Sequence, residues 1–344
     1  MNLRTVSVVI PAHNRPEKLR RILHYYSKTN IQIIVSDSSD VLFPYLHEFP
    51  ELTYFHFPKE QFLWKIYKII PYISTEYVVY CADDDFIVPQ AIEKIIAFLD
   101  THPDYNSAQG HYLSFETKKN SIDFFPSYIR NFDKDINQNL PSERLTEFRN
   151  LYASLLYSVI RATTFVEMYK KCIEGETLKF KNLFLAEIYF NFFSLMTGRN
   201  KTLPIFYGAR EKDYKSATYS TVPLSVIRSS PMYREEFQNF INLIVNELVS
   251  KQDLDIEIAE NLISGLLQDP KKDHIHPLKR KILNLLDVYG PKELMKKYFR
   301  HKYKTKGLKI TKDMESYPCT FSTPEKEAII QHILAYKQQT IETE

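Results

Sequence analysis

The apolar run Tyr77-Val78-Val79-Tyr80-Cys81-Ala82 stops abruptly in three carboxylates, Asp83, Asp84 and Asp85. A short run of that character reads as a strand buried on both faces. Adjacent acids repel one another and cost stability unless a cation neutralises them. Ligands of an open α/β sheet collect at the carboxyl ends of its strands, so the triplet is placed where a metal and a phosphate would be held.

The flanking sequence fits such a sheet. Val6 to Pro11 is strand-like, and Asn14 is placed to cap a helix, with Glu17 three residues on and Leu19, Ile22, Leu23 and Tyr26 on one face. Ile31 to Ser36 and Leu52 to Phe57 are further apolar runs, and Gln61 to Tyr72 is an apolar-rich helix candidate. Pro89 opens another helix with Ile92, Ile95, Ile96 and Leu99 facing inward, and Ser107 to Phe115 returns as a strand. Repeated β-α-β predicts a parallel, right-handed, doubly wound sheet.

Glycine placement narrows the options. Of seven glycines the first is Gly110, whereas loops that cradle phosphate on backbone after a first strand need glycine there. A P-loop, a dinucleotide fingerprint and the loop of sugar nucleotidyltransferases are thus excluded from the N-terminal part. A phosphate must be held by a cation and side chains. The net charge of +3 gives no global field toward nucleic acid. Cys81, Cys172 and Cys319 lack metal spacing and fit a reduced compartment. Val6 to Ala12 is too short for a secretory segment, and Asn150 to Ile160 is far short of a bilayer span. The expectation is a cytoplasmic chain, soluble or peripheral at the inner face of the cell membrane.

Val8-Val9-Ile10-Pro11-Ala12-His13-Asn14-Arg15, Asp37 at the end of the second strand, and Ala82-Asp83-Asp84-Asp85-Phe86-Ile87-Val88-Pro89 together resemble a GT-A glycosyltransferase of the family-two type. The likeness covers about the first 115 residues and lies in order and spacing. It implies an α/β fold, the GT-A doubly wound, mostly parallel sheet, with a helical C-terminal extension here. It further implies that Ala12, His13, Asn14 and Arg15 line the nucleotide pocket, that Asp37 hydrogen-bonds uracil or ribose, and that Asp83 and Asp84 join that pocket. Asp83 and Asp85 would hold Mn²⁺ or Mg²⁺. Taken from the residues alone, Asp37 among Ser36, Ser38 and Ser39 also suits a strand-ending turn, and the acids could serve the dipole of the helix after Pro89. Lys65 is either a solvated helix lysine or, as the resemblance suggests, a contact to the nucleotide or diphosphate.

In inverting members of that family an acid on a later helix deprotonates the acceptor. Glu187, alone in an otherwise apolar helix, fits that role or that of an acid on the polar edge, with Glu211 and Asp213 next in line. Residues 207–216 read as a polar loop that could close over the donor, offering Arg210 and Lys215 to the leaving diphosphate. From about Pro231 the pattern is helical, with Phe237, Phe240, Ile241, Ile244, Val245 and Leu248 on one face, followed by Ile256 to Leu267 and Leu278 to Leu286. Residues 296–312 carry eight Lys or Arg with Tyr298, Phe299 and Tyr303 between them, a composition for an anionic membrane surface, a solvated linker or nucleic acid.

The expected division is a GT-A domain over 1–228, with a nucleotide half 1–115 and an acceptor half 116–228, and a helical domain over 229–344. The expected function is metal-dependent, inverting transfer of a sugar from a nucleotide-sugar, UDP-linked, to a glycan or lipid-linked acceptor, with no nucleic-acid partner. The alternatives are a non-catalytic GT-A-like binding protein and, against the missing glycines, a sugar nucleotidyltransferase.

Overall fold

The computed structural model describes residues 5–117, 121–127, 134–151, 154–174, 182–212, 222, 224–268 and 324–343. The chain divides into two compact units. The first holds Met1–Leu178, Phe190–Lys212 and Cys319–Glu344, and the second Lys179–Tyr189 and Asp213–Pro318. This partition differs from the one at 228/229, because the C-terminal residues belong with the first unit.

The first unit is built on strands β1 (Val6–Ala12), β2 (Gln32–Asp37), β3 (Thr53–His56), β4 (Tyr77–Tyr80), β5 (Phe86–Ile87), β6 (Tyr105–Thr117), β7 (Ile122–Pro126), β8 (Asp135–Ile136), β9 (Val159–Arg161) and β10 (Arg199–Glu211). Eight of them run in the order β3-β2-β1-β4-β9-β6-β10-β5, with β7 on β6 and β8 on β10. The ladders of β1 with β2 and β4, β2 with β3, and β6 with β10 are parallel. β9 enters antiparallel between β4 and β6. This is the α/β doubly wound architecture expected, with the ladders among β1, β2, β3 and β4 all parallel.

The helices of this unit are α1 (Pro16–Tyr26), α2 (Phe62–Tyr67), α3 (Pro89–Thr101), α4 (Pro141–Leu151) and α5 (Ala162–Glu174). The sheet is covered on both faces, which is why its strands read as unbroken apolar runs. Val6, Val8, Ile10 and Val79 face a core shared with Leu19, Ile22, Tyr26, Ile92 and Ile95. On the other side, α2 packs on β2 and α5 on β4. Each fully buried aliphatic side chain contributes about 1.5–3 kcal/mol.

Helix starts depart from the capping pattern. α1 begins at Pro16, with Arg15 rather than Asn14 as its N-cap and no side-chain cap bond. Proline's fixed φ pre-sets the first helical position. Asn14 instead takes a left-handed φ of 51°, and its side chain bridges to Asp40, Nδ2 donating to Oδ2 at 3.1 Å and Oδ1 accepting from the Asp40 N–H at 3.0 Å. The helix expected over Gln61 to Tyr72 ends as α2 and resumes as one 3-10 turn, Ile70–Tyr72, around Pro71.

α6 (Leu183–Thr197) passes from the second unit, to Tyr189, into the first from Phe190. The second unit further contains α7 (Leu224–Ser229), α8 (Arg234–Gln252) and α9 (Ile256–Leu266). α8 packs on α9, burying Phe240, Ile241, Ile244, Val245 and Leu248 of the expected face together with Ala259 and Ile263. Asp253 closes α8 in the left-handed region, and the Asp255 carboxylate caps α9 by accepting from the Glu257 N–H at 2.8 Å.

The last described helix, α10 (Pro324–Thr343), returns to the first unit and packs on α1 and β10. Ile329 and Ile333 enter its core, and Tyr336 donates to Glu17 Oε2 at 2.8 Å. No described helix is long and apolar enough to cross a membrane.

Candidate functional site

The carboxyl ends of β1, β2 and β4 lie side by side because register pairs Ala12 with Asp37 and Val9 with Tyr80. Two clusters form there. The first gathers Ala12, His13, Asp37 and Lys65. Asp37 is buried; its Oδ1 accepts from the Ser39 N–H at 2.8 Å and the Ser39 hydroxyl at 2.5 Å, and its Oδ2 from the Tyr54 hydroxyl at 2.7 Å. The turn reading of Asp37 is therefore realised, and the same bonds fix its carboxylate at the strand end. Lys65 is no solvated helix lysine. Its Nζ donates to the Ala12 carbonyl at 2.5 Å and to Ser38 Oγ at 3.0 Å, and burial lowers its pKa to about 8. His13, exposed, has Nδ1 3.1 Å from the Ser38 carbonyl.

The second cluster is the acid triplet. Asp83, Asp84 and Asp85 are all buried, in the turn between β4 and β5 that the Asp85 N–H closes by donating to the Ala82 carbonyl at 3.1 Å. Arg15 grips two of them: Nη2 and Nε donate to Asp83, and Nη1 to Asp84 Oδ2 at 2.5 Å. Lys18 Nζ lies 3.9 Å from Asp84 and 3.7 Å from Glu211. Arg21 pairs with Glu211 at 2.6 Å. Arg15, Lys18 and Arg21 thus form a stripe at spacing three along the start of α1, the spacing that puts side chains on one helical face.

β10 completes this cluster. Residues 207–211 are not the polar loop expected but the end of that strand, held between β5 and β6. Gly208 permits this, because a Cβ there would meet the Phe86 carbonyl oxygen at 2.7 Å. The close approach brings Arg210 Nε to 3.4 Å from Asp85 Oδ2 and the Glu211 N–H to 2.9 Å from Asp85 Oδ1. The Arg210 guanidinium also lies over the Tyr157 ring, 4.4 Å from its centroid.

Burial pushes Asp83 and Asp85 up to about 7, against the pull of Arg15 on Asp83 and of Arg210 on Asp85. Among the described residues, no three His, Cys, Asp or Glu side chains form a group that could hold a metal. The donor chemistry nevertheless suits a hard divalent cation, since Mg²⁺-type sites use one or two carboxylates and take their other oxygens from substrate phosphate and water. Asp85 and Asp83 are the carboxylates that fit this role, each already facing a cation, Arg210 and Arg15, that substrate phosphate could share.

The structure therefore brings together Arg15, Asp83, Asp84, Asp85 and Arg210, and separately Ala12, His13, Asp37 and Lys65. Asn14 is engaged with Asp40. Glu187, half-buried on α6 between buried Ala186 and Ile188, belongs to the second unit. Lys215, Asp213, residues 278–286 and the basic segment 296–312 lie outside the described residues. Lys18, Arg21 and Tyr54 were not foreseen, and Ser38 and Ser39 were expected only as part of a strand-ending turn; the spacing of the α1 cations was the available signal for the first two.

Comparison with known proteins agrees on the N-terminal region. Residues 7–147 match the family model described as Glycosyl transferase family 2. No curated protein matches the chain significantly. Among solved structures, the crystal structure of S. aureus TarS 1-349 is 14% identical, covering 82% of this chain and 79% of that one at a TM-score of 0.48. Its complex with UDP-GlcNAc is 13% identical, covering 80% and 77% at 0.48. A longer TarS structure is 13% identical at 0.45, with 76% of this chain matched to 43% of that one.

Proposed function

We propose that this chain, whose residues 7–147 match the Glycosyl transferase family 2 model, is a glycosyltransferase that moves a sugar from a UDP-linked donor to a glycan or lipid-linked acceptor with inversion at the anomeric carbon. The observation that carries this reading is the buried triplet Asp83–Asp85 at the carboxyl end of β4, one strand from Asp37 and Lys65 and lined by four cations.

Asp37, fixed by Ser39 and Tyr54, offers its remaining lone pairs to uracil or ribose. Lys65 stiffens the first loop by tying Ala12 to Ser38. Arg15 and Arg210 exchange part of their carboxylate contacts for the diphosphate as it departs, which places charge-assisted donors on the leaving group. Mn²⁺ or Mg²⁺, held by Asp85 and Asp83, would supply further neutralisation of that diphosphate. Glu187 is assigned as the base that takes the acceptor hydroxyl proton in a single displacement. The cation-rich segment 296–312 is assigned to docking on anionic lipid.

Calorimetry of UDP with Mn²⁺ and with chelator tests the donor site. Tighter binding with Mn²⁺, lost in Asp85→Ala while the protein stays folded, is the expected result. Equal affinity under both conditions removes the metal from the reading, and no UDP binding at all removes the donor.

A further inference from the structure

Arg21 is a cation almost sealed inside the protein, at 7% exposure, with Glu211 as its side-chain counter-ion. Burying a guanidinium is costly unless its partners repay the lost hydration, so what it touches is informative. Its Nη2 donates to Glu211 Oε2 at 2.6 Å and to the main-chain carbonyl of Asp84 at 3.0 Å. Those partners come from two segments far apart in sequence. One is the turn that carries the acid triplet, and the other is the end of β10.

The same two segments meet again at Asp85, where the Glu211 N–H donates to Oδ1. The Arg21 guanidinium also lies 5.1 Å from the centroid of Phe86, the residue that follows Asp85. From behind, His332 of α10 places Nε2 2.8 Å from the Arg21 carbonyl and its ring edge-on to Phe86.

We propose that Arg21 and Glu211 are a positioning pair for Asp85: Arg21 clamps the acid turn to the end of β10, and Glu211 thereby presents its N–H to the Asp85 carboxylate. Neither residue touches the reacting atoms. The assignment also withdraws Glu211 from the candidate bases, because its carboxylate is taken by Arg21, with Lys18 at 3.7 Å. It rests on the reading that Asp85 serves a divalent cation beside a nucleoside diphosphate.

The experiment uses the full chain carrying Arg21→Lys, Arg21→Met or Glu211→Gln, with UDP titrated calorimetrically in MnCl₂ and in EDTA and the thermal midpoint recorded. Partners that orient a metal ligand are worth about tenfold or more in metal affinity. Arg21→Met is therefore expected to cut the Mn²⁺-dependent gain in UDP affinity about tenfold, leaving affinity in EDTA within about twofold. Arg21→Lys, whose ammonium lacks the planar fork, is expected to lose about threefold or more of that gain, and it decides the matter if Arg21→Met does not fold. Glu211→Gln keeps the backbone donor and is expected to lose less than Arg21→Met. A lowered thermal midpoint with the Mn²⁺-dependent gain intact in the folded variants would make the pair purely structural and overturn the proposal. Absence of that gain in the unsubstituted protein would instead overturn the metal reading beneath it.

Discussion

The ammonium of Lys65 donates to the main-chain carbonyl of Ala12 at 2.5 Å, inside a pocket that leaves the lysine 3% exposed. Burial lowers its pKa from the ordinary 10.5 to about 8. A base with a depressed folded pKa costs stability while the folded protein must carry its charge, and that cost falls away as pH rises from about 8 to 10.5. In this window the unfolded chain binds more protons, so the stability of the native protein relative to Lys65→Met is expected to rise between pH 7.5 and 9.5. Urea midpoints across that range measure it, and a flat difference would mean the amine is not desolvated in solution.

Arg15 is the cation that makes a buried Asp83 tolerable. Asp83 has a raised folded pKa, so its burial costs nothing below the unfolded value of 3.8, weighs progressively on the folded state between 3.8 and about 7, and is felt in full above that. Removing Arg15 raises the folded value further. Arg15→Ala is expected to be closer in stability to the native protein at pH 4 than at pH 8, where the deficit is about 3 kcal/mol, the low end of the loss for breaking a buried pair because Arg15 is 30% exposed. Chemical denaturation at the two pH values checks this; an equal deficit at both would show that Arg15 acts by packing instead.

Glu187→Gln keeps shape and removes basicity. Turnover is expected to fall about a hundredfold or more, with UDP affinity unchanged within about twofold. Steady-state kinetics beside calorimetry separate the two effects, and near-normal turnover would transfer the role of base to another acid.

Ile333 reaches the core of the first unit from α10 at 1% exposure. Ile333→Ala is expected to cost about 2–4 kcal/mol, the transfer and cavity penalty of a large-to-small core change. Thermal unfolding reports it. A change within about 0.5 kcal/mol would mean that α10 is loosely docked in solution.

β1, β2 and β4 were legible because they are largely apolar and acids stand at the end of β2 and in the turn after β4. The order of Ala12, Asp37 and Asp83 along the chain, each closing an apolar run, already suggested three strand ends. β9 and β10 were not legible. β9 is three residues long, and β10 mixes Arg199, Asn200, Lys201 and Arg210 with apolar residues because register shifts interrupt its ladder with β6. A strand carrying that much charge reads as a loop, which is how Arg210 and Glu211 came to be expected in one. The cation stripe of α1 was hidden for the opposite reason: Lys18 and Arg21 look like an ordinary solvated face until the acids they meet are folded against them.

α10 has a consequence for the order in which the molecule can be made. His332 and Arg21 touch across 311 positions of chain, so α1 is synthesised long before the helix that covers its outer face. Until then the surface that Ile329 and Ile333 will occupy stays wet, and contacts this distant in sequence are slow to find. A fragment cut to residues 7–147 would keep α1 but lack both β10 and α10, leaving Asp85 without Glu211 and the α1 face bare. Such a trimmed product is expected to aggregate, and expression boundaries for this protein should therefore include α10.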